Sequence, residues 1–494
     1  RAAPPKPRPP QLLPAAPPGH EGLEVCSAGR AKGFGLFATK HVQPGEILYR
    51  EVPEIFHQYH YSALVAPACL NCGAFAGGLR DAVGWAVKGC GRSVDEWPDL
   101  ASSGALDDPA LQLGSWLPCP RGCGAIFCSG RCRDMQLTAG HHRVLCGELP
   151  DSSRTAWAAF QEHARRHHET FALAALAVAQ AIVDAHRLEC SLELAAVRFT
   201  RYCARPWHQM LPRGARDRLV WAHRRLERLE ASRALLVEVL AHRGPDVSRL
   251  LARDFWASLV GSLDICTKGM HYPHPLSARL ERAPEALTLG ARSDLRGICL
   301  LWDKAQEAEW DRDVPNSPSE SGSEDEGGAA RETTNLCLRR DRAEGLPWLP
   351  GFDGLGLYPG VAVSNHSCAP NAEVRLGGEG ATDRGIRVVA LRGIREDEEV
   401  QISYLDGAAE GASLAERRAQ LLRDHGFECV CARCEAEAQL ELAGESEDGG
   451  GGDLGSTFLT EAPQPRRREF RLRGAPAPPG SLRLRARLRS AGFG

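Results

Sequence analysis

Residues 365–371 read Asn-His-Ser-Cys-Ala-Pro-Asn, and residues 398–404 read Glu-Glu-Val-Gln-Ile-Ser-Tyr, a run that ends in a strand-like pattern. Farther along the chain, residues 429–434 carry a Cys-x-Cys-x2-Cys run, which offers three thiolates where a tetrahedral zinc site needs four ligands. Cys368, inside the first stretch, is the candidate for the fourth ligand. The pattern therefore predicts a zinc site that joins two separate segments of the chain.

A second group of cysteines, between residues 69 and 146, falls into short-spaced pairs that one histidine completes. The pairs are Cys69-x2-Cys72, Cys119-x3-Cys123, Cys128-x3-Cys132 and His142-x3-Cys146. Seven thiolates and one imidazole make eight ligands, enough for two tetrahedral zinc sites, with Cys90 and His141 as alternative ligands. Because so short a segment cannot build a core of its own, we expect this zinc to be structural.

Composition narrows the class of protein. The chain has 494 residues, 43% of them apolar, and its formal charge of −3 excludes a protein that is basic throughout. Clustered cysteines are typical of reduced, metal-bound thiols rather than of the disulfides of a secreted chain. The longest apolar stretch, Phe171–Val183, is shorter than a bilayer span. We therefore expect no membrane contact, no secretion, and a location in the nucleus, the cytoplasm or both.

Short strand-like runs separated by Gly and Pro stand near both ends of the chain, and a helical segment lies between them. Helices are predicted from Thr155 to about Arg243, where apolar residues recur at three- to four-residue spacing. The predicted strands are Leu23–Cys26, Gly35–Thr39, Glu46–Val52, Gly360–Ser364, Ala372–Leu376, Ile386–Leu391 and Val400–Tyr404.

The stretches 365–371 and 398–404, together with Gly33-Phe34-Gly35, resemble the two halves of a SET domain. A SET domain divided by a MYND zinc finger and a helical segment is the layout of the SET and MYND domain-containing family of protein-lysine methyltransferases. The resemblance implies an α+β fold, with a β-rich SET core split by a MYND zinc finger and a helical insert. A zinc-bound, cysteine-rich post-SET segment would complete it.

The resemblance also implies the boundaries of these parts. They are 1–21 for a Pro-rich disordered end, 22–65 for the N-terminal part of SET, 66–150 for the finger with a long insertion, 151–302 for the helical insert, 303–350 for an acidic low-complexity linker, 351–406 for the catalytic part of SET, 407–436 for the post-SET zinc clasp, and 437–494 for a disordered tail that is acidic and then basic.

In the MYND finger the ligand pairs interleave, so the resemblance divides the ligands among three zinc ions. The sets are Cys69, Cys72, Cys128 and Cys132 for the first, Cys119, Cys123, His142 and Cys146 for the second, and Cys368, Cys429, Cys431 and Cys434 for the post-SET ion.

The family transfers a methyl group from S-adenosylmethionine to a lysine of a histone or of another protein, such as a ribosomal protein. Such an enzyme mainly positions the reactants and excludes water. Tyr404 is the predicted catalytic residue: its phenol can orient the lysine amine, although an ordinary pKa of about 10 makes it a poor base. The cofactor-binding residues that the resemblance implies are Lys32 near the carboxylate, Gly33, Phe34, Gly35, Asn365, His366, Tyr404, and Phe427 stacked on the adenine.

One position departs from the family's pattern. His425 stands where the family usually has a second tyrosine that frames the lysine channel, and we include it among the predicted catalytic residues. The substitution leaves product degree, substrate choice and activity itself open. An alternative hypothesis is a catalytically impaired scaffold whose finger binds Pro-rich protein partners. A third hypothesis, weaker still, is contact with nucleic acid through the arginines between Arg466 and Arg489.

Overall fold

The computed structural model describes residues 21–29, 32–202, 205–210, 218–312, 349–376, 384–405 and 411–447. The predicted Pro-rich end, most of the predicted acidic linker and the arginine-rich tail lie outside these residues. Residues 1–441 form one compact unit, and residues 442–494 form a second, of which the end of one helix is described.

The strands of the described residues are short and come from both ends of the chain. They are β1 (Leu23–Gly29), β2 (Gly33–Ala38), β3 (Ile47–Glu51), β4 (Ile55–Gln58), β5 (Gly77–Gly78), β6 (Gln112–Gly114), β7 (Leu117–Pro118), β8 (Ile126–Phe127), β9 (Lys268–Tyr272), β10 (Phe352–Leu357), β11 (Asn365–His366), β12 (Ala372–Leu376), β13 (Ile386–Ala390) and β14 (Glu399–Ile402).

The helices lie mostly between the two groups of strands. They are α1 (His60–Val65), α2 (Leu79–Gly89), α3 (Pro98–Ala101), α4 (Gly130–Thr138), α5 (Asp151–His167), α6 (Thr170–Leu188), α7 (Leu192–Thr200), α8 (Arg218–Leu240), α9 (Pro245–Leu250), α10 (Arg253–Cys266), α11 (Pro275–Arg282), α12 (Leu289–Arg312), α13 (Pro359–Val363), α14 (Leu414–Asp424) and α15 (Ala432–Glu447).

The sheet that positions the candidate site has the strand order β1-β2-β14-β11. β1 and β2 form an antiparallel hairpin, and β14 pairs antiparallel with β2. The pairing of β11 with β14 is parallel and places Asn365 opposite Gln401 and His366 opposite Ile402. Residues from the start of the chain and from two later segments therefore meet on neighbouring strands.

Two further sheets, β12-β13-β3 and β4-β10-β9, complete the strand-rich part. Their buried side chains share one core with the first sheet, and this core contains Leu36, Tyr49, Phe56, Val388 and Val400. β9 comes from the range predicted to be a helical insert, yet Met270 pairs with Gly354 of β10. A strand of five residues is too short for periodicity to distinguish it from the helices around it.

Helices α5, α6, α7, α8 and α10 form a layer around a second core. Phe160, Leu173, Leu236 and Trp256 are fully buried in it, and Ile55 of β4 belongs to the same cluster. The layer therefore packs against the sheet β4-β10-β9. By length and composition α6 is apolar enough to cross a membrane, whereas the sequence led us to expect no stretch of sufficient length. However, 61% of the most apolar 18-residue segment of α6 is buried inside the protein.

The long insertion between Cys72 and Cys119 packs away from the zinc ligands. Its helix α2 buries Leu79 and Val83 against Leu276 of α11 and Leu295 of α12. The N–H of Leu100 donates to a carboxylate oxygen of Asp294 at 2.9 Å, which ties the insertion to α12. The insertion thus packs with α11 and α12 around a third core, separate from the core of the helical layer.

The α+β class is confirmed, and several element predictions need correction. The strand predicted at Gly360–Ser364 is wrong, because the segment forms α13, whose first residue is Pro359. The fixed φ of proline suits the first position of a helix. Helix α12 extends to Arg312, into the predicted linker, and α15 extends to Glu447, into the predicted disordered tail.

Candidate active site

The start of β2 exposes backbone at one glycine and excludes side chains at another. Gly33 has a φ of +77°, a left-handed conformation that other residues rarely adopt, and a Cβ there would meet no atom within 4 Å. At Gly35, a Cβ would lie 2.7 Å from Oε1 of Glu399 and 3.0 Å from Nδ2 of Asn365. Gly33 therefore leaves open space beside bare backbone, whereas Gly35 makes room for protein side chains.

The side-chain amide of Asn365 is held by both of its hydrogens. Nδ2 donates to the backbone oxygen of Phe34 at 2.9 Å and to Oε1 of Glu399 at 2.7 Å. The amide oxygen is therefore the atom that remains to accept a hydrogen bond from a ligand. Lys32 lies close by, with its Nζ 2.8 Å from Oε2 of the same Glu399 carboxylate.

His366 is buried, and the protein engages both of its ring nitrogens. Nδ1 accepts the N–H of Tyr404 at 3.0 Å, which places the ring proton on Nε2, 3.3 Å from Sγ of Cys368. Burial, with a smaller contribution from His425, lowers the pKa of His366 to about 4. Contact of His366 with a ligand is consequently left to its backbone.

The Tyr404 hydroxyl donates to the backbone oxygen of Ser364 at 2.8 Å. Burial raises the pKa of Tyr404 above its ordinary value, so the phenol keeps its proton at neutral pH. Three rings surround it, with centroids at 4.8 Å for His425, 5.4 Å for His366 and 6.3 Å for Phe427. The rings form an aromatic cluster next to the strand pair β11-β14.

His425, the residue that caps the C-terminal end of α14, contributes a polar atom to this cluster. Its Nδ1 is buried and has no hydrogen-bond partner among the described residues. Burial and the positive charge of Lys268 lower the pKa of His425 to about 4, so the ring is neutral at pH 7. An unpartnered buried polar atom costs free energy, and this one is available to a ligand beside Tyr404.

Directly after Phe427 the chain reaches the post-SET cysteines. The ligand atoms of Cys368, Cys429, Cys431 and Cys434 all lie within 4.8 Å of one another. Sγ of Cys368 is 3.5 Å from Sγ of Cys434 and 3.9 Å from Sγ of Cys429. The structure thus brings the distant Cys368 to the three clustered cysteines, as the sequence pattern requires.

The finger contains two more sets of the same kind, and their members are those that the interleaved pairing predicts. Sγ of Cys128 lies 3.6 Å from Sγ of Cys72 and 3.5 Å from Sγ of Cys132. In the other set, Nε2 of His142 is 3.3 Å from Sγ of Cys119. The two sets are Cys69, Cys72, Cys128 and Cys132, and Cys119, Cys123, His142 and Cys146; neither includes Cys90 or His141.

The three sets fit Zn2+ by donor type and by spacing. A tetrahedron with Zn–S bonds of about 2.3 Å has sulfur–sulfur edges of about 3.8 Å. Five Sγ–Sγ distances within these sets run from 3.5 to 3.9 Å, and all ligand atoms of a set lie within 4.8 Å of one another. None of the cysteines that the structure describes forms a disulfide, so these contacts are between separate thiols.

Comparison with known proteins finds a family match over the part of the chain that contains β11, β14 and Tyr404. The family model of the SET domain matches residues 302–405. This segment of the chain is similar to a SET domain. The matched range contains Asn365, His366 and Tyr404, and β2, which bears the Gly33–Gly35 turn, joins it from the start of the chain through β14.

Two relatives align with most of the chain, and a third aligns with a shorter part of it. Protein-lysine N-trimethyltransferase SMYD5 from Gallus gallus is 26% identical over 88% of this chain and 93% of the relative. Histone-lysine N-methyltransferase ATXR2 from Arabidopsis thaliana is 26% identical over 84% of this chain and 90% of the relative. Histone-lysine N-methyltransferase SMYD3 from Homo sapiens is 39% identical over a shorter alignment, which covers 17% of this chain and 18% of the relative. The resemblance to SET and MYND domain-containing proteins, with SET and MYND domain-containing protein 5 among them, is confirmed.

Two side chains that organise the SET core were not predicted from the sequence. Glu399 lies within the quoted strand, but a carboxylate in a strand signals no particular contact. Arg417 of α14 is almost fully buried beside the post-SET cysteines, where it forms an ion pair with Glu437 and lies 3.7 Å from Sγ of Cys434. The sequence signal for Arg417 is weak, because arginines at helical spacing usually lie on a solvated face.

Proposed function

We propose that the chain is an S-adenosylmethionine-dependent protein-lysine N-methyltransferase. The observation that carries the proposal is the aromatic cluster of Tyr404, His366, His425 and Phe427 beside the strand pair that holds Asn365 against Phe34. Methyl transfer to an amine needs a water-excluding site in which both reactants are positioned. The names of the relatives, protein-lysine and histone-lysine methyltransferases, support the same reaction.

S-adenosylmethionine supplies a methyl group on a sulfonium, which an amine attacks in line. The residues around the Gly33 turn suit its polar end: Lys32 offers a cation to the carboxylate, and the amide oxygen of Asn365 can accept hydrogen bonds from the α-ammonium group. The open backbone at Gly33 allows close approach. We assign the adenine to the face of Phe427 and the adenosyl contact of His366 to its backbone.

The chain's own part in the chemistry is to hold the lysine amine in line and keep water out. Tyr404 remains a phenol, so its oxygen orients the amine by hydrogen bonding and does not act as a base. The neutral His425 offers Nδ1 to the same amine. With a pKa of about 4, His425 is too weak a base to deprotonate a lysine ammonium, whose ordinary pKa is about 10.4. The amine therefore has to lose its proton to solvent before transfer.

We propose that the three sets of ligands bind Zn2+, two ions in the finger and one in the post-SET segment. Their donor types and spacing support this assignment. The finger ions are structural. In the post-SET set, Cys368, next to the Asn365–His366 strand, and the three cysteines that follow Phe427 would hold one ion. Such an ion would help to keep Phe427 and His425 beside Tyr404.

The substrate is a protein with an exposed lysine, on a histone, on another protein such as a ribosomal protein, or on both. A location in the nucleus, the cytoplasm or both would give access to these substrates.

A methyl-transfer assay tests the proposal. The purified chain, with isotope-labelled S-adenosylmethionine, is incubated with histones, ribosomal proteins and a lysine peptide array. Tyr404→Phe is the matched control, because it removes one oxygen and leaves the ring in place. We expect transfer by the wild type and a loss of roughly 100-fold or more in the variant. Absence of transfer to every substrate would contradict the proposal, and mass spectrometry of the product gives the degree of methylation.

One observation favours a second candidate, a catalytically impaired scaffold whose finger binds Pro-rich partners. His425, with an unpartnered Nδ1, replaces the second channel tyrosine of the family. The scaffold predicts cofactor binding by calorimetry without turnover, and capture of Pro-rich peptides by the full chain. That capture would be lost in Cys128→Ser, which removes a finger ligand. Contact with nucleic acid would involve the arginine-rich tail, which lies outside the described residues.

A further inference from the structure

We propose that Glu399 is a positioning residue of the cofactor pocket: its carboxylate holds the Asn365 amide and the Lys32 ammonium in the arrangement that receives S-adenosylmethionine. The inference rests on the proposed function, since it concerns the same pocket. It adds a residue that contacts neither the methyl group nor the lysine substrate.

The strand order places Glu399 between the two segments that form the pocket. β14 lies between β2 and β11, and Glu399 pairs with Phe37 of β2. Its side chain is 15% exposed, so the carboxylate is largely shielded from water. A carboxylate in this position is within reach of side chains from both neighbouring strands.

Both oxygens of the carboxylate are used. Oε1 accepts from Nδ2 of Asn365 at 2.7 Å, while Oε2 lies 2.8 Å from Nζ of Lys32 and accepts from Nε2 of Gln401 at 2.9 Å. Hydrogen bonds to an ionised acceptor are stronger than neutral ones. The contact with Oε1 fixes the orientation of the Asn365 amide together with the Phe34 carbonyl, because only a nitrogen can donate to either oxygen. Without Glu399 the amide loses the stronger, charge-assisted one of the two hydrogen bonds that keep its oxygen turned towards the ligand.

Gly35 gains a different role in this arrangement. A Cβ at Gly35 would collide with Oε1 of Glu399 and crowd Nδ2 of Asn365. The second glycine of the Gly33-Phe34-Gly35 motif is therefore required for the contact between Glu399 and Asn365, and only Gly33 borders open space. Gly35 therefore supports cofactor binding indirectly, because it leaves room for the side chains of Glu399 and Asn365 to meet.

Calorimetry with S-adenosylhomocysteine on the full chain tests the proposal. Loss of a charge-assisted hydrogen bond predicts that Glu399→Ala binds about tenfold more weakly or worse than the wild type. In turnover, the KM for the cofactor rises, whereas the KM for the peptide at saturating cofactor stays unchanged. Glu373→Ala is the matched control, since this carboxylate lies on β12 in an exposed pair with Arg375. Equal affinities of Glu399→Ala and the wild type would overturn the proposal and leave the proposed function standing.

A double-mutant cycle separates positioning from general destabilisation. If Glu399 acts through Asn365, the losses in affinity for Glu399→Ala and Asn365→Ala are not additive in the double variant. Additive losses would overturn the proposal. Glu399→Gln keeps an acceptor for Asn365 and is expected to recover part of the affinity; recovery of none overturns the proposal. A wild-type chain that binds no S-adenosylhomocysteine overturns the proposed function together with this inference.

Discussion

Nε2 of His366 lies 3.3 Å from Sγ of Cys368, so a single imidazole joins the post-SET ligand set to the candidate catalytic strand. The other ring nitrogen accepts the backbone N–H of Tyr404 at 3.0 Å. Groups that hydrogen-bond to a metal ligand orient it and tune its charge. His366 therefore couples the geometry of the post-SET ligand set to the placement of Tyr404.

Cys368→Ser removes the one post-SET ligand that comes from the SET core. We expect the zinc content of the purified chain to fall from three ions to two, because three thiolates alone leave the tetrahedron incomplete. Methyl transfer should fall with it. Metal analysis measures the zinc content, and Cys26→Ser, at a thiol outside the three sets, is the control. A content of three ions in Cys368→Ser would contradict the assigned ligand set.

Arg417→Met tests the buried arginine beside this site. Its side chain is 1% exposed, and Nη1 donates to the backbone oxygen of Ala412 at 2.6 Å. Its partner Glu437 is 32% exposed, so that carboxylate can be hydrated once the ion pair is broken. We expect a lower free energy of unfolding in urea and faster transfer of one zinc ion to a chelator. Arg395→Met, whose side chain is 86% exposed, should change the unfolding free energy little. An unchanged rate of zinc release in Arg417→Met would contradict a role of Arg417 in stabilising the post-SET ligand set.

His425→Tyr restores the side chain that the family usually has beside the lysine channel. The phenol is larger than imidazole and carries a hydroxyl, and the ring that it replaces has its centroid 4.8 Å from that of Tyr404. Less space and one more hydrogen bond to the amine restrict its rotation between transfers. We expect a shift towards lower degrees of methylation, measured by mass spectrometry of a fixed peptide. An identical product distribution in wild type and variant would show that His425 does not set the degree.

Glu51→Gln predicts a pH-dependent change in stability. Burial raises the pKa of Glu51 from 4.5 to about 7, while Oε1 accepts the N–H of Gly360 at 2.6 Å. The folded state therefore favours the protonated acid, and the wild type loses stability as pH rises from about 4.5 to 7. The free energy of unfolding of Glu51→Gln should exceed that of the wild type by up to about 3 kcal/mol above pH 7. Below pH 4 the two free energies should be similar.

Urea unfolding between pH 4 and pH 8 measures this difference. Glu373→Gln, at an exposed carboxylate, is the control and should show no such trend. A stability difference for Glu51→Gln that does not grow with pH would contradict the raised pKa.

Features that depend on short spacing along the chain could be predicted from the amino-acid sequence alone. Two ligands separated by two or three intervening residues can chelate one metal wherever the segment lies, so the pairs Cys69 with Cys72 and His142 with Cys146 were predictable. The glycine turn at Gly33 and the strand leading to Tyr404 are equally local. A segment such as Gly360–Ser364 was misread because its apolar residues suit a strand, whereas the proline before them starts a helix.

Only the tertiary structure decided which distant groups meet. The contact between Glu399 and Asn365 depends on the strand order β2-β14-β11 and on a parallel register that pairs Asn365 with Gln401. The unpartnered Nδ1 of His425 and the burial of Arg417 likewise depend on how α14 packs over the post-SET cysteines. Side-chain types carry no information on register or burial until long-range pairing is complete. The ligand pairs, the glycine turn and the catalytic strand could therefore be predicted from the sequence. The mutual orientation of the site's side chains could not.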